Sequence, residues 1–198
     1  MKKLAMVASL ILAFGGIVRA QGKITYQIDP AHSSAQFVVR HLGISNVRGE
    51  FSKISGSVEL DDKDITNSKV SATIPIDTVD TREPDRDADL KSDHFFDVAH
   101  YPAMSFTSKR IFHDGSSLKM TGDLTLHGVT REVTLDLSGP APEIKDPWGN
   151  LRRGAEATGK LSRKDFGMTF DSGKIASGDF LIGDDISLTI DVEFIRKP

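Results

Sequence analysis

The sequence predicts an all-β protein whose antiparallel strands close into a barrel. Three observations carry this. Apolar and polar residues alternate with a period of two along several segments, the pattern of antiparallel strands with one buried face. Residues suited to tight turns sit between those segments. Glycines and a change of parity inside the strand patterns predict the bends and bulges that a closed sheet needs.

The strands follow in chain order. Thr25–Asp29 and Ser34–His41 come first. Val47–Leu60 follows, with Phe51 on one parity and Ile54, Val58 and Leu60 on the other. A bulge near Ser52 reconciles them and bends the sheet. Val70, Ala72, Ile74 and Ile76 alternate with polar neighbours, and Met104–Phe112 is the next strand. Leu118, Met120, Gly122, Leu124 and Leu126 alternate with Lys119, Thr121, Asp123 and Thr125, and Val133, Leu135 and Leu137 repeat the pattern. Ala155–Ser162 and the alternation of Ile186, Leu188, Ile190, Val192 and Phe194 bring the total to about eight or nine strands. Asp114-Gly115-Ser116 and His127-Gly128-Val129 suit tight connections.

Two segments break the period. Asp77–Pro102 is long and charged, and Pro84 opens a short helix through Ser92, since proline is tolerated in a first turn. Gly139–Gly154 reads as a loop dense in proline and glycine. No internal repeat or second-domain linker is legible, so residues 21–198 read as a single domain.

The N-terminus reads as a secretory leader over residues 1–20. Lys2 and Lys3 precede the apolar stretch Leu4–Val18, and Val18-Arg19-Ala20 predicts cleavage after Ala20. The stretch is short of the ~20 residues a spanning helix needs. Removing Lys2, Lys3 and Arg19 from the 25 basic residues leaves 22 against 28 acidic, a net charge of −6. That mild acidity argues against a nucleic-acid or anionic-membrane partner. The chain has no cysteine. Thiol nucleophiles, thiolate metal sites and a lipid-modified N-terminal cysteine are thereby excluded, and the domain holds together by burial alone. The mature protein is expected to be exported and soluble, periplasmic in a Gram-negative cell.

No catalytic constellation is legible. Ser33 follows His32 directly, but neighbours on a strand point to opposite faces. No G-x-S-x-G elbow, H-E-x-x-H helix or phosphate-cradling glycine loop occurs. His32, His41, His94, His100, His113 and His127 are scattered without zinc spacing. Asp85, Asp87 and Asp89 lack the glycine and terminal glutamate of a calcium loop and read as a solvated charged face. No cofactor or metal is expected, and the chain is not read as an enzyme.

Small inward residues point to a cavity. Ala155, Ala157 and Gly159 leave one strand nearly bare on its apolar side, and Ala72 and Gly122 thin two others. An eight-stranded barrel either fills with side chains or holds one small ligand. Phe37, Phe106 or Phe194 opposite would fill such gaps, and pattern alone leaves both outcomes open. Phe95-Phe96 and the group Phe166, Met168 and Phe170 suit plugs on the ends of the core, or the gate or wall of an apolar tunnel.

Four ordered segments resemble the YceI-like family of exported lipid-binding proteins. They are DPAHSSAQFVVRHLGISNVRGEF from Asp29, RDADLKSDHFFDVAHYPAMSF from Arg86, GDLTLHGVTREVTLDL from Gly122, and a last segment running from DPWGNLRRGAEATGKLSRKDFGM to IGDDISLTIDVEF at Phe194. Where similar proteins often carry RDxHL and S-x-D-F-F, this chain has Asp89 and His94. The resemblance implies a lipocalin-like antiparallel barrel, read here as eight-stranded. It also implies binding of a long isoprenoid, a quinone tail or a similar amphiphile in an elongated pore. A carrier needs an exit for its ligand, and the partly helical segment Asp77–Pro102 is the candidate lid.

Parity and resemblance together nominate Phe37, Val39, Phe51, Phe95, Phe96, Met104, Phe106, Leu124, Leu126, Phe166 and Phe170 as wall residues. His32, Arg40 and His41 are the headgroup candidates; strand-end capping or ion pairs with Asp29, Asp165 or Asp184 are their structural alternative. The competing functions are an exported enzyme acting on lipid or sugar and a structural β-sandwich without ligand. A homodimer is compatible with either reading.

Overall fold

The computed structural model describes residues 22–171 and 173–197; the leader expected over residues 1–20 lies outside them. In chain order the elements are β1 (Ile24–Ile28), β2 (Ser34–His41), β3 (Ser45–Phe51), β4 (Ser55–Leu60), β5 (Lys69–Pro75), β6 (Val79–Asp80) and the helix α1 (Pro84–Lys91). There follow β7 (Ala103–Asp114), β8 (Ser117–Leu126), β9 (Val129–Ser138), β10 (Ile144–Lys145), β11 (Leu151–Ser162) and β12 (Ile182–Arg196).

Pairing joins the short strands into longer ones. β1 and β2 run along the same edge of β12, with Ile28 opposite Phe194 and Ser34 opposite Asp191. β4 and β3 lie beside them, and β5 and β6 beside those. The ring continues through β7, β8, β9 and β11 to β12, which closes on β1. The product is a closed eight-stranded antiparallel barrel.

Two of the long strands are kinked, for reasons visible in their residues. Between β1 and β2, Pro30 has no N–H to give to a ladder. The buried hydroxyl of Ser33 bridges the gap: it accepts from the Glu193 N–H at 3.0 Å and donates to the Glu193 carbonyl at 3.3 Å. The expected strand Val47–Leu60 is two strands, separated at residues 52–54, rather than one strand with a bulge. Phe51 and Ile54 are both buried because the chain turns a corner between them.

The tight turns form where expected. His127 and Gly128 both have positive φ, 51° and 71°, the two-residue hairpin geometry that matches strand twist. A Cβ at Gly128 would lie 2.5 Å from the Tyr101 ring, so conformation and contact both require glycine there.

The stretch expected to be a plain loop, Gly139–Gly154, is ordered. β10 pairs with the start of β11, which begins at Leu151 rather than Ala155. The Asp146 carboxylate organises the turn between them. It accepts from the backbone N–H of Trp148 at 3.0 Å and of Asn150 at 2.8 Å, from Asn150 Nδ2 at 2.9 Å and from Arg152 Nε at 2.6 Å.

α1 starts at Pro84 as predicted and leaves no residue buried within it. Asp87 fastens its base by accepting from the Thr81 N–H at 2.8 Å and the Thr81 hydroxyl at 2.6 Å. The segment then lays Leu90, Phe95 and Phe96 onto the barrel interior. Tyr26, fully buried, meets Phe194 edge-on at 5.2 Å and donates its hydroxyl to Glu143 at 2.6 Å. Burial and then the Glu143 carboxylate raise the pKa of that phenol.

Candidate functional site: an apolar cavity inside the barrel

The inward faces of the ring enclose a cavity of about 260 Å³. Strand parity decides its chemistry: Ile186, Leu188, Ile190, Val192 and Phe194 of β12 line it, while Ser187, Thr189 and Asp191 do not. Ile182 and Phe194 both reach the wall, and the strand between them extends roughly 40 Å at ~3.3 Å per residue. The cavity is therefore elongated along the barrel.

Small residues set its bore. Ala35, Ala72, Ala155 and Ala157 all line it. Two glycines expected to widen it do not. The space over Gly122 holds the Phe106 ring, 2.4 Å from where a Cβ would stand, and Leu135 Cδ2 occupies the space over Gly159 at 2.7 Å. Large side chains thus fill part of the interior, and the alanines leave the remainder open.

Most of the expected wall residues line the cavity: Phe37, Val39 and Phe51 from β2 and β3, Phe95 and Phe96 from residues 77–102, the cover, Met104 and Phe106 from β7, Leu124 and Leu126 from β8. Phe166 and Phe170 do not. The chain leaves the barrel wall in the 3-10 turn Arg163–Phe166, so strand parity no longer applies beyond it. Phe166 is packed into the core beside the cavity, 1% exposed. Phe170 is 37% exposed and lies against the cover, stacked on His94 at 4.2 Å and edge-on to Phe95 at 5.4 Å.

The headgroup candidates also stand off the cavity wall. His32, at the β1–β2 kink, places Nδ1 2.9 Å from Asp29 Oδ2. Arg40 is exposed and donates to Asn46 Oδ1 at 3.0 Å and to the Gly43 carbonyl, which caps the β2–β3 turn. His41 shares the parity of Phe37 and Val39 but ends its strand beyond the cavity. A hydrogen bond to Asp29 engages His32, and turn capping engages Arg40. The three aspartates near α1 do not gather either: Asp87 serves Thr81, and Asp89 binds His94 at 2.8 Å.

Around His32 the structure builds something the sequence did not reveal. Ligand-type atoms of Asp29, His32 and Glu193 lie within 4.8 Å of one another. The cation among them is Arg152, 2.6 Å from Asp29, 2.9 Å from Glu193 and 2.6 Å from Asp146. Burial pushes the Asp29 carboxyl up, but hydrogen bonds from Arg152, His32 and the Ala31 N–H outweigh it and hold it at about 2. The same opposition, again won by Arg152 and the turn's N–H groups, leaves Asp146 well below the usual carboxylate range. Bonds to Asp146 and Asp29 raise the Arg152 guanidinium. This network cross-links the β1–β2 kink, β11, β12 and the Asp146 turn.

Arg163 is a charged wall residue that strand periodicity could not find. It is 3% exposed and lines the cavity. Nε donates to the Gly183 carbonyl at 3.2 Å, Nη1 to those of Met168 at 3.0 Å and Phe170 at 2.6 Å, and Nη2 to that of Ile182 at 3.3 Å. Asp184 Oδ1 stands 3.5 Å away. Burial lowers its pKa, opposed by Asp184 and Asp171. With its N–H groups aimed at protein oxygens, it fastens the strap Met168–Phe170 to β12. Ser68 is also buried on the wall, and its hydroxyl accepts from the Asp61 N–H at 2.9 Å.

Fold and site together define an antiparallel barrel built around an elongated apolar interior. The YceI-like domain matches residues 26–194, and the chain belongs to the YceI-like family. It is 37% identical to Protein YceI of Salmonella paratyphi B over 193 residues, 96% of this chain and 95% of that one. The crystal structure of the Campylobacter jejuni YCEI protein is 35% identical, covers 80% of this chain and 90% of its own, and superposes with a TM-score of 0.66. Burkholderia cenocepacia BcnA shares the fold at 20% identity, with a TM-score of 0.70 over 84% of this chain and 98% of its own. A polyisoprenoid binding domain from Saccharophagus degradans does so at 16% identity, with a TM-score of 0.64 over 88% and 99%.

Proposed function

We propose that this protein is an exported carrier that holds a long apolar chain inside the barrel and performs no chemistry on it. The cargo is a polyisoprenoid, a quinone tail or a similar amphiphile. One observation carries the reading: the cavity is elongated and its wall is almost wholly apolar, while the buried polar groups on it, Arg163 and Ser68, are bonded to protein. Such a wall recognises length and girth rather than a headgroup, which stays at a mouth. The family, and the polyisoprenoid binding domain among the proteins of the same fold, support this reading.

The magnitude is adequate. Each methylene buried against this wall contributes ~0.8 kcal/mol, so about ten of them contribute roughly 8 kcal/mol. Residues 77–102, fastened at one end through Thr81 and Asp87 and at the other through the Pro102 carbonyl bonded to the Ile76 N–H, form the cover through which cargo leaves.

Native mass spectrometry of freshly purified mature protein tests the reading. The expected result is a discrete added mass that organic extraction removes. A clean apo mass, with no uptake of added polyprenyl lipid, would overturn it.

A further inference from the structure

The turn between β10 and β11 holds a tryptophan out into solvent. The Trp148 indole is 81% exposed and Ile144, at the root of the turn, is 62% exposed. The turn itself is firmly built. The Asp146 side chain, 5% exposed, binds the backbone N–H groups of Trp148 and Asn150 and the Arg152 guanidinium. An apolar side chain displayed on a rigid turn loses little freedom when it is buried by a partner.

Charge indicates which partner. Of the acids in this stretch, Asp146 is taken by Arg152, and Glu143 by the Tyr26 hydroxyl and Arg196. Lys145 has no ion-pair partner among the described residues, and its stem passes 3.9 Å from where a Cβ of Gly149 would stand. The tip therefore presents an indole, an isoleucine and one free cation, although the chain as a whole is acidic. Tryptophan beside aliphatic and basic residues is the composition that settles at the boundary between headgroups and acyl chains.

Position supplies the remaining argument. Ile144 also borders a surface recess of about 580 Å³, and that recess shares Ser138, Gly139, Ala155 and Val192 with the interior cavity. Ile144 thus joins the tip to a recess that shares part of its wall with the cavity.

We propose that this turn is a bilayer-docking element: Trp148 and Ile144 enter the headgroup–acyl boundary while Lys145 meets lipid phosphates. The purpose of docking, exchange of cargo with the membrane, rests on the carrier reading; the docking itself does not.

Trp148 is the single tryptophan of the chain, so its emission reports this site alone. Mature protein is titrated with phosphatidylcholine vesicles, with and without brominated acyl chains, and its cargo is followed by native mass spectrometry. The expected result is a blue shift that saturates with lipid, quenching by the brominated chains, and about tenfold weaker vesicle partitioning for Trp148→Ala, as partial burial of an indole implies. That variant should keep its fold, because Asp146 bonds the backbone at position 148 and not the ring; Ile144→Ser is the second variant, expected to weaken partitioning in the same direction. Emission unmoved by lipid in cargo-loaded protein would overturn the proposal and leave the carrier reading intact. A blue shift that follows protein concentration without lipid would also overturn it, in favour of a second copy. Docking by protein that takes up no cargo would uphold it while the carrier reading falls.

Discussion

Ala72→Phe is the sharpest test of the cavity as the binding site. Ala72 lies on β5 between Gly56 and Phe106 and lines the cavity. The substitution adds a six-carbon ring where the wall is thin. At ~0.8 kcal/mol per displaced methylene-sized group, the ring removes roughly 5 kcal/mol of ligand burial. That is a loss of affinity on the order of a thousandfold or more, at 1.4 kcal/mol per factor of ten. Because the ring enters open space, the 1–3 kcal/mol typical of overpacking is not expected. The signature is therefore lost binding with an unchanged or slightly raised melting temperature. The assay pairs titration with a polyprenyl alcohol of fixed length with thermal unfolding. A folded Ala72→Phe protein that binds within a few-fold of the parent would show that cargo does not occupy this cavity. If the aromatic ring prevents folding, Ala72→Leu makes the same test with about half the effect.

Three further outcomes are expected. Arg163→Ala removes a buried cation and strands the carbonyls of Met168, Phe170, Ile182 and Gly183; chemical denaturation should record a loss of about 3–5 kcal/mol. Asp29, held at about 2 in the fold against an ordinary 3.8, contributes stability that is present above pH ~3.8 and lost as pH falls toward 2. Melting curves between pH 6 and 2 should show that decline, and Asp29→Asn should remove about 1 kcal/mol of it after solvent screening. Finally, His94 and Phe170 stack across the junction of cover and strap at 4.2 Å. In a chain without cysteine, a His94→Cys, Phe170→Cys pair joined by a short crosslinker should slow cargo release. Unchanged release would place the exit elsewhere.

Strand positions and the wall residues on strands were legible because both follow from local parity. Phe37, Met104 and Leu124 face the cavity for the same reason that Gln27 and Glu59 face solvent: successive side chains on a strand alternate. Where the chain left the strands, parity lost its hold. Phe166 and Phe170 stand off the wall because the 3-10 turn Arg163–Phe166 takes the chain out of the strand. The Asp89 and His94 pair, at positions where similar proteins carry other residues, emerges as a hydrogen-bonded contact at 2.8 Å that the spacing did not reveal.

The alternation of the chain was sufficient to predict antiparallel strands, their turns and one apolar face per strand, since each depends on residues two to four apart, while bends and bulges favoured closure into a barrel. The open bore was decided only by tertiary structure. Phe106 closes over Gly122 and Leu135 over Gly159, while the alanines of β2, β5 and β11 keep the remainder clear. The same holds for the charges. Arg152 collects carboxylates from Asp29, Asp146 and Glu193, and Arg163 collects carbonyls from two segments. Asp29, Glu193, Ile182 and Gly183 are distant in the chain from the arginine each meets, and closure of the barrel brings them within reach, whereas Asp146, Met168 and Phe170 are near neighbours that the local turns present.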